Sequence, residues 1–198
     1  IEYFLGFRDQ SGNEVIRYGG KRLRPAICLY IADLLGKKEA ARLFASSLEL
    51  FHNFTLIHDD IEDHDELRRG RPTVWKLWGV NHGINSGDAL ALLAAKTLNE
   101  AAAATQEVGR NIAAFLSETY QQVIEGQFRD FTLADSLLHD PAVNEDAYMA
   151  MIEKKSAALI AGAAKAGALA GGATPEVQKA CAAYGLHLGM AYQIYDDI

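Results

Sequence analysis

Acidic residues are concentrated at residues 59–66, where six of the eight positions are Asp or Glu. Three arginines, Arg68, Arg69 and Arg71, follow within the next five positions. On a helix, Asp59 and Asp63 lie one turn apart on one face, where like charges are destabilising by about 0.2–0.5 kcal/mol per pair. A divalent cation removes that repulsion. Ligands that are all oxygen favour Mg²⁺, Mn²⁺ or Ca²⁺ over zinc.

The arginines indicate what else such a site binds. Mg²⁺ usually takes one or two protein carboxylates and completes its shell with water and substrate phosphate. An acidic helix followed by cations therefore predicts a diphosphate that is bridged to carboxylates through metal and held elsewhere by basic side chains. A solvated acidic helix end is the alternative for this segment alone. A second acidic pair, Asp196-Asp197, favours the metal site, because two facing carboxylate pairs can hold several Mg²⁺ ions around one diphosphate.

The sequence predicts helices along almost its whole length, and these helices must position the charged residues. Between Lys38 and about Arg69 the sequence has no Pro or Gly, and positions such as Leu43, Leu50 and Ile57 follow the helical period. This predicts one helix with Arg68 and Arg69 in its last turn, ended by Gly70. Further helices are predicted from Pro25 to Gly36 and at roughly 85–103, 108–133, 142–170 and 176–198, with Asp140-Pro141 and Thr174-Pro175 marking starts.

Composition limits the class of protein. A chain of 198 residues with few strand patterns predicts a single all-α domain, and the net charge of −7 argues against nucleic acid as a partner. Two cysteines cannot form a disulfide framework and suit a reducing cytoplasm, where we place the protein. The small-residue run 156–173 is too interrupted, by Lys165, to span a bilayer, and is expected to be core or a subunit contact.

Six groups of motifs occur in a particular order over nearly the whole sequence. They are GGKRLRP (19–25), ELFHNFTLIHDDIED with ELRRGRPT (49–73), GDAL (87–90), GQFRD (126–130), KKS (154–156) and QIYDDI (193–198). In this order the sequence resembles the trans-isoprenyl diphosphate synthases of the polyprenyl synthetase family, in particular the short-chain geranylgeranyl and farnesyl diphosphate synthases. The resemblance implies an antiparallel helical bundle around a central cavity (the isoprenoid synthase type I fold) and a homodimer. It also implies a head-to-tail condensation of isopentenyl diphosphate with an allylic diphosphate.

The resemblance also implies roles for individual residues. Three Mg²⁺ ions, for which Mn²⁺ can substitute, are expected on Asp59, Asp60, Asp63, Asp196 and Asp197. The allylic diphosphate is expected to contact Arg68, Lys155, Ser156 and Gln193. Isopentenyl diphosphate is expected to contact Gly20, Lys21, Arg24, His52 and Arg69. Gln127 and Asp130 are expected to support the site.

Product length is expected to depend on Phe54 and Thr55, which lie five and four residues before the first aspartate. A bulky ring at Phe54 without a two-residue insertion in the first motif resembles geranylgeranyl synthases. We therefore favour a C20 product, with C15 as the alternative. The sequence stops before the last aspartate of the second motif and has Lys155-Ser156 where Lys-Thr is usual. We expect it to be incomplete at both ends.

Four other interpretations each fit part of the sequence. A metal-dependent phosphohydrolase would use His52 and the His58-Asp59 pair but leaves GGKRLRP unexplained. A di-iron bundle would use Glu49-x-x-His52 and needs a second such motif. A class I terpene cyclase shares the first acidic motif but normally carries a different second one. A catalytically silent partner subunit of the same fold should have lost carboxylates that are present here.

Overall fold

The chain is α-helical along most of its length, which confirms the predicted all-α class. The computed structural model describes residues 1–15, 20–137 and 145–198. Gly19 of the first motif and the predicted helix start at Asp140-Pro141 lie outside these ranges. In chain order the elements are α1 (Leu23–Leu34), α2 (Lys38–Glu62), β1 (Leu67–Arg68), β2 (Arg71–Pro72), α3 (Val74–Trp78), α4 (Val80–Ala104), α5 (Gln106–Leu137), α6 (Glu145–Ile152), a π-helical turn (Glu153–Ala157), α7 (Ala158–Ala170) and α8 (Pro175–Asp196).

Two compact units make up the chain. The first contains Ile1–Leu23 and Ser46–Thr97, and the second contains Arg24–Ala45 and Leu98–Ile198. Within the described residues, no helix is both long enough and apolar enough to cross a bilayer.

The first unit is built on the second half of α2. Ser47 of this helix donates a 2.8 Å hydrogen bond from its buried hydroxyl to the Ala94 carbonyl of α4. Full burial of each large apolar side chain contributes about 1.5–3 kcal/mol. The core of this unit is a buried cluster of Phe4, Ile57, Val74 and Leu90. This core fixes the last turns of α2, which carry the first acidic motif.

The second unit has α7 at its centre. Its small residues let neighbouring backbones approach, so that a Cβ atom added at Gly185 of α8 would lie 2.7 Å from Cα of Ala161. A Cβ at Gly189 would lie 2.5 Å from Cα of Ala157. Nearly every residue of α7 is buried. The small-residue run therefore lies in the core of this unit, as one of its two predicted roles requires.

The predicted extension of α2 to Arg69 is wrong, because the helix ends at Glu62. His64 takes a left-handed conformation (φ 56°), and the amide of Asp65 donates to the Asp60 carbonyl at 2.9 Å. This is a Schellman ending with His in the place that is usually Gly. The Asp65 carbonyl then accepts 2.8 Å bonds from the side chains of Thr73 and Trp75, so residues outside the helix hold its end.

Arg68 consequently lies on a β-hairpin and not in a last helical turn. β1 and β2 pair antiparallel, with Arg68 opposite Arg71. Arg69 and Gly70 connect them with φ values of 55° and 72°. Two left-handed residues in succession are typical of the type I′ turn, whose twist matches that of a hairpin. The hairpin turns the basic residues back from the end of α2.

The predicted continuous helix at 142–170 is also revised, since the π-helical turn separates α6 from α7. A single π-helical turn inserts one extra residue into the helical spiral and is frequent at functional sites. Here the turn contains Lys154, Lys155 and Ser156, three residues of one predicted motif.

Candidate active site

The first acidic motif occupies the end of α2. Asp59 is partly exposed and Asp60 is buried in the last turn, while Asp63 follows the helix and is exposed. The amide of Asp63 donates to the Asp59 carbonyl at 2.8 Å, so the predicted one-turn spacing of these two residues is observed. The three carboxylates therefore differ in their access to solvent.

Asp60 is the member of the motif with the most constrained environment. Its side chain is 1% exposed, and Oδ1 accepts a hydrogen bond from Nε of Arg68. Oδ2 is buried and accepts no hydrogen bond from the residues that the structure describes. Burial raises the pKa of this carboxyl, and Arg68 offsets the rise in part. A buried anionic oxygen without a donor is costly, and a cation at Oδ2 would remove the cost. The residues here fit a divalent metal ion.

Arg68 was predicted to contact the allylic diphosphate, and in the structure it pairs with Asp60. Its Nη2 also lies 3.9 Å from Oδ2 of Asp65. The side chain of Arg68 is 26% exposed. Arg68 therefore offsets the charge of Asp60, and its contact with a diphosphate stays a prediction.

Two of the five residues predicted to bind isopentenyl diphosphate lie in contact. A Cβ atom at Gly20 would lie 2.7 Å from Nη2 and 2.8 Å from Cζ of Arg69, so the guanidinium packs directly against Gly20 and would have to move for a larger residue. Partial burial lowers the pKa of Arg69, as does the neighbouring Arg68. Of the remaining three, Lys21 is exposed, and His52 is partly buried on α2. Arg24 lies on α1 in the second unit.

Residues of α4 for which the sequence predicted no role contact His58, the residue before the first acidic motif. The imidazole Nε2 of His58 lies 3.3 Å from the Ile84 carbonyl and 3.7 Å from Oδ1 of Asp88. The ring rests against Gly87, where an added Cβ would overlap Cδ2 and Nε2 of His58. The Gly-Asp pair of the GDAL motif thus holds the residue immediately before Asp59. The motif itself was the signal, but its contact could not be read from sequence.

In the second unit two consecutive lysines reach from the π-helical turn to α5. Lys155 Nζ donates to Oδ2 of Asp130, and Lys154 Nζ lies 2.5 Å from Oε1 of Glu125. Arg129 also donates to Glu125, at 2.8 Å. The hydrogen bonds from Lys154 and Arg129 lower the pKa of Glu125. The structure thus brings together Lys155 and Asp130, two predicted site residues. It adds Glu125, which sequence reasoning missed.

A chain of hydrogen bonds leads to the second acidic motif. Ser156 Oγ donates to Oε1 of Gln193 at 2.6 Å, and Gln193 Nε2 donates to Oδ1 of Asp197 at 2.8 Å. The Tyr148 hydroxyl donates to Oδ2 of Asp197 at 2.6 Å, which raises the pKa of Tyr148 to about 12. Asp196 is exposed. Ser156 and Gln193, predicted as diphosphate contacts, are thus bonded to each other. Tyr148, 49 residues from Asp197, left no signal in the sequence.

Three predicted residues remain: Phe54, Thr55 and Gln127. The Phe54 ring makes edge contacts with Phe51 and His58, at centroid distances of 5.3 and 4.9 Å, and packs against the core of the first unit. The Thr55 hydroxyl donates to the His52 carbonyl within α2, at 2.8 Å. Gln127 is partly buried on α5, one turn before Asp130. Roles for these residues in product length or support stay predictions.

No group of three or more His, Cys, Asp or Glu side chains converges on one point in the described part of the chain. A hard cation that takes one or two carboxylates and completes its shell with water and phosphate suits this arrangement.

Comparison with known proteins identifies the family. The polyprenyl synthetase family model matches residues 8–198. The chain is 40% identical to a (2E,6E)-farnesyl diphosphate synthase of Mycobacterium bovis, over 100% of this chain and 54% of that protein. It is 41% identical to a geranylgeranyl diphosphate synthase of Methanosarcina mazei, over 96% of this chain and 57% of that protein. A crystal structure of polyprenyl synthetase from Streptomyces coelicolor superposes with a TM-score of 0.85 at 36% identity, covering 99% of this chain and 56% of that one.

The fold and the two acidic motifs define an isoprenoid-synthase-type helical protein. The chain belongs to the polyprenyl synthetase family. It spans about half the length of the curated relatives it matches.

Proposed function

We propose that this protein condenses isopentenyl diphosphate head-to-tail with an allylic diphosphate. The observation that carries the proposal is the Asp60 carboxylate, buried beside Arg68 with one oxygen that accepts no hydrogen bond from the described residues. Relatives that are 40% and 41% identical to this chain are named farnesyl and geranylgeranyl diphosphate synthases.

The carboxylates of both motifs are proposed to hold three Mg²⁺ ions, which Mn²⁺ can replace. When bound, the metal supplies positive charge against the departing diphosphate. Arg68 and Lys155 are proposed to add positive charge at the same group, after the bound diphosphate has displaced Asp60 and Asp130 as their partners. Once this exchange is complete in the substrate complex, both charges are in place where negative charge develops, which lowers the barrier of the bond-breaking step.

The proposed reaction needs no side-chain nucleophile. The allylic C–O bond breaks and the diphosphate leaves with its electron pair. The double bond of isopentenyl diphosphate then forms the new carbon–carbon bond, and the adjacent carbon loses a proton to the released diphosphate. The second diphosphate is proposed to be held without metal by Gly20, Lys21, Arg24, His52 and Arg69. Water must be kept from the electron-deficient carbon, because it would capture it.

A C20 product is proposed, with C15 as the alternative. Phe54 lies on α2 five residues before Asp59, which is about 7.5 Å along the helix at 1.5 Å per residue. The ring is proposed to close the space for the growing chain. Replacing Phe54 with Ala should therefore lengthen the products, as sized by chromatography. An unchanged product distribution would show that Phe54 only packs the core.

The chain is further proposed to act as one synthase domain of a cytoplasmic homodimer. Both Cys28 and Cys181 are free thiols, which supports a reducing compartment.

The test is an assay of the full-length protein with Mg²⁺, labelled isopentenyl diphosphate and dimethylallyl, geranyl or farnesyl diphosphate. We expect a labelled product that requires both substrates and is lost in Asp60→Asn. The matched control is Asp33→Asn, because Asp33 lies in the second unit and forms an exposed pair with Lys38. Diphosphate release from the allylic substrate alone would indicate hydrolysis or cyclisation. No product with any primer would instead favour the silent partner subunit.

A further inference from the structure

Both oxygens of the Asp197 carboxylate are held by side-chain donors. Gln193 Nε2 donates to Oδ1 at 2.8 Å from one turn earlier on α8. The Tyr148 hydroxyl donates to Oδ2 at 2.6 Å from α6. We propose that Tyr148 is a positioning residue of the second acidic motif, which it orients through Asp197 without contacting substrate itself.

Two hydrogen bonds link the segment that carries Tyr148 to the end of α8, one from Tyr148 to Asp197 and one from Ser156 to Gln193. We call this pair of bonds the clamp. Tyr148 and Ser156 lie eight residues apart on one continuous segment, formed by α6 and the π-helical turn. Gln193 and Asp197 lie one turn apart at the end of α8. Ser156 binds Gln193 at 2.6 Å, Gln193 binds Asp197, and Tyr148 binds Asp197. The four side chains therefore form a hydrogen-bonded chain that is anchored at both ends on the same segment, and each hydrogen bond limits the rotation of the next.

The clamp has a consequence for metal binding. Asp197 is exposed, and an exposed carboxylate with no fixed partner samples several rotamers, which must be given up when it binds. Each carboxylate oxygen has a second lone pair that stays open while the first accepts a hydrogen bond. Outer residues that orient a ligating group in this way typically change metal affinity by about 10–100-fold when they are removed. Tyr148 supplies such a bond from outside the motif.

This inference depends on the proposed function, because it takes Asp197 to act in metal–diphosphate binding. The experiment measures binding of Mn²⁺ to the full-length protein in the presence of inorganic pyrophosphate, by the electron paramagnetic resonance signal of free Mn²⁺. No turnover is needed. Tyr148→Phe removes only the hydroxyl, and Tyr184→Phe makes the same change at a 61% exposed tyrosine of α8. We expect Tyr148→Phe to weaken Mn²⁺ binding about tenfold and Tyr184→Phe to leave it unchanged.

A double-mutant cycle separates positioning from a general structural effect. If Tyr148 acts through Asp197, then Tyr148→Phe should cause no further loss of Mn²⁺ affinity in an Asp197→Ala background. Equal losses in both backgrounds, or wild-type affinity in Tyr148→Phe, would overturn the inference and leave the proposed function standing. If the wild-type protein neither binds Mn²⁺ with pyrophosphate nor forms product, the proposed function fails and the inference fails with it.

Discussion

Gly126 allows α5 to approach the π-helical turn more closely than any other residue would. A Cβ atom added there would lie 2.6 Å from the Lys154 carbonyl carbon and 2.6 Å from Cα of Lys155, and it would overlap the Lys155 amide nitrogen. All three are backbone atoms, so no side-chain rotation relieves the overlap. Gly126→Ala must therefore push apart the two elements that carry Asp130 and Lys155.

The expected magnitude follows from two opposing effects. Ala in place of Gly in a helix interior is favourable by about 1 kcal/mol. Overpacking costs about 1–3 kcal/mol, and the upper end applies because only the backbone can move. We expect the free energy of unfolding to fall by about 2 kcal/mol, as the difference of these terms. The Lys155–Asp130 ion pair should lengthen at the same time.

Urea unfolding of the full-length protein tests the stability change. Ala114→Gly, the reverse exchange at an exposed position of α5, should by itself cost about 1 kcal/mol and calibrates the propensity effect. If the proposed function holds, kcat/KM for the allylic substrate should also fall in Gly126→Ala and stay unchanged in Ala114→Gly. A Gly126→Ala protein as stable as the wild type would refute the close backbone approach.

Three further outcomes are expected. Arg68→Ala should lower the free energy of unfolding by about 3 kcal/mol near pH 7, because it leaves the buried Asp60 carboxylate without its partner. Arg68 lowers the pKa of Asp60 against the rise that burial causes, so Arg68→Ala should raise this pKa further. The folded variant then holds the Asp60 proton to higher pH than the folded wild type, so the deficit should grow as the pH of urea unfolding is raised from acidic to neutral, and a pH-independent deficit would contradict this. Gly87→Ala should displace the His58 ring and destabilise the first unit, as measured by urea unfolding. If the Gly87→Ala protein is as stable as the wild type, the close contact between Gly87 and His58 is disproved. Cys28, whose pKa burial raises to about 12, should react with a thiol reagent at pH 8 far more slowly than the partly exposed Cys181, which peptide mass mapping would show; equal rates would contradict the burial of Cys28.

The sequence alone predicted the local features of the structure. The one-turn spacing of Asp59 and Asp63, the all-helical class and the closely packed small-residue segment follow from helical periodicity and residue size, which act between neighbours in the chain. The order of the motifs was enough to indicate the family, which the comparisons confirm.

Tertiary structure alone decided where α2 ends and what the charged residues bind. Thr73 and Trp75 hold the Asp65 carbonyl, so the helix stops at Glu62 and Arg68 returns on a hairpin to the buried Asp60. Tyr148 reaches Asp197 across 49 residues of sequence. Hydrogen bonds and burial between distant segments depend on how the segments pack, and no local propensity encodes them.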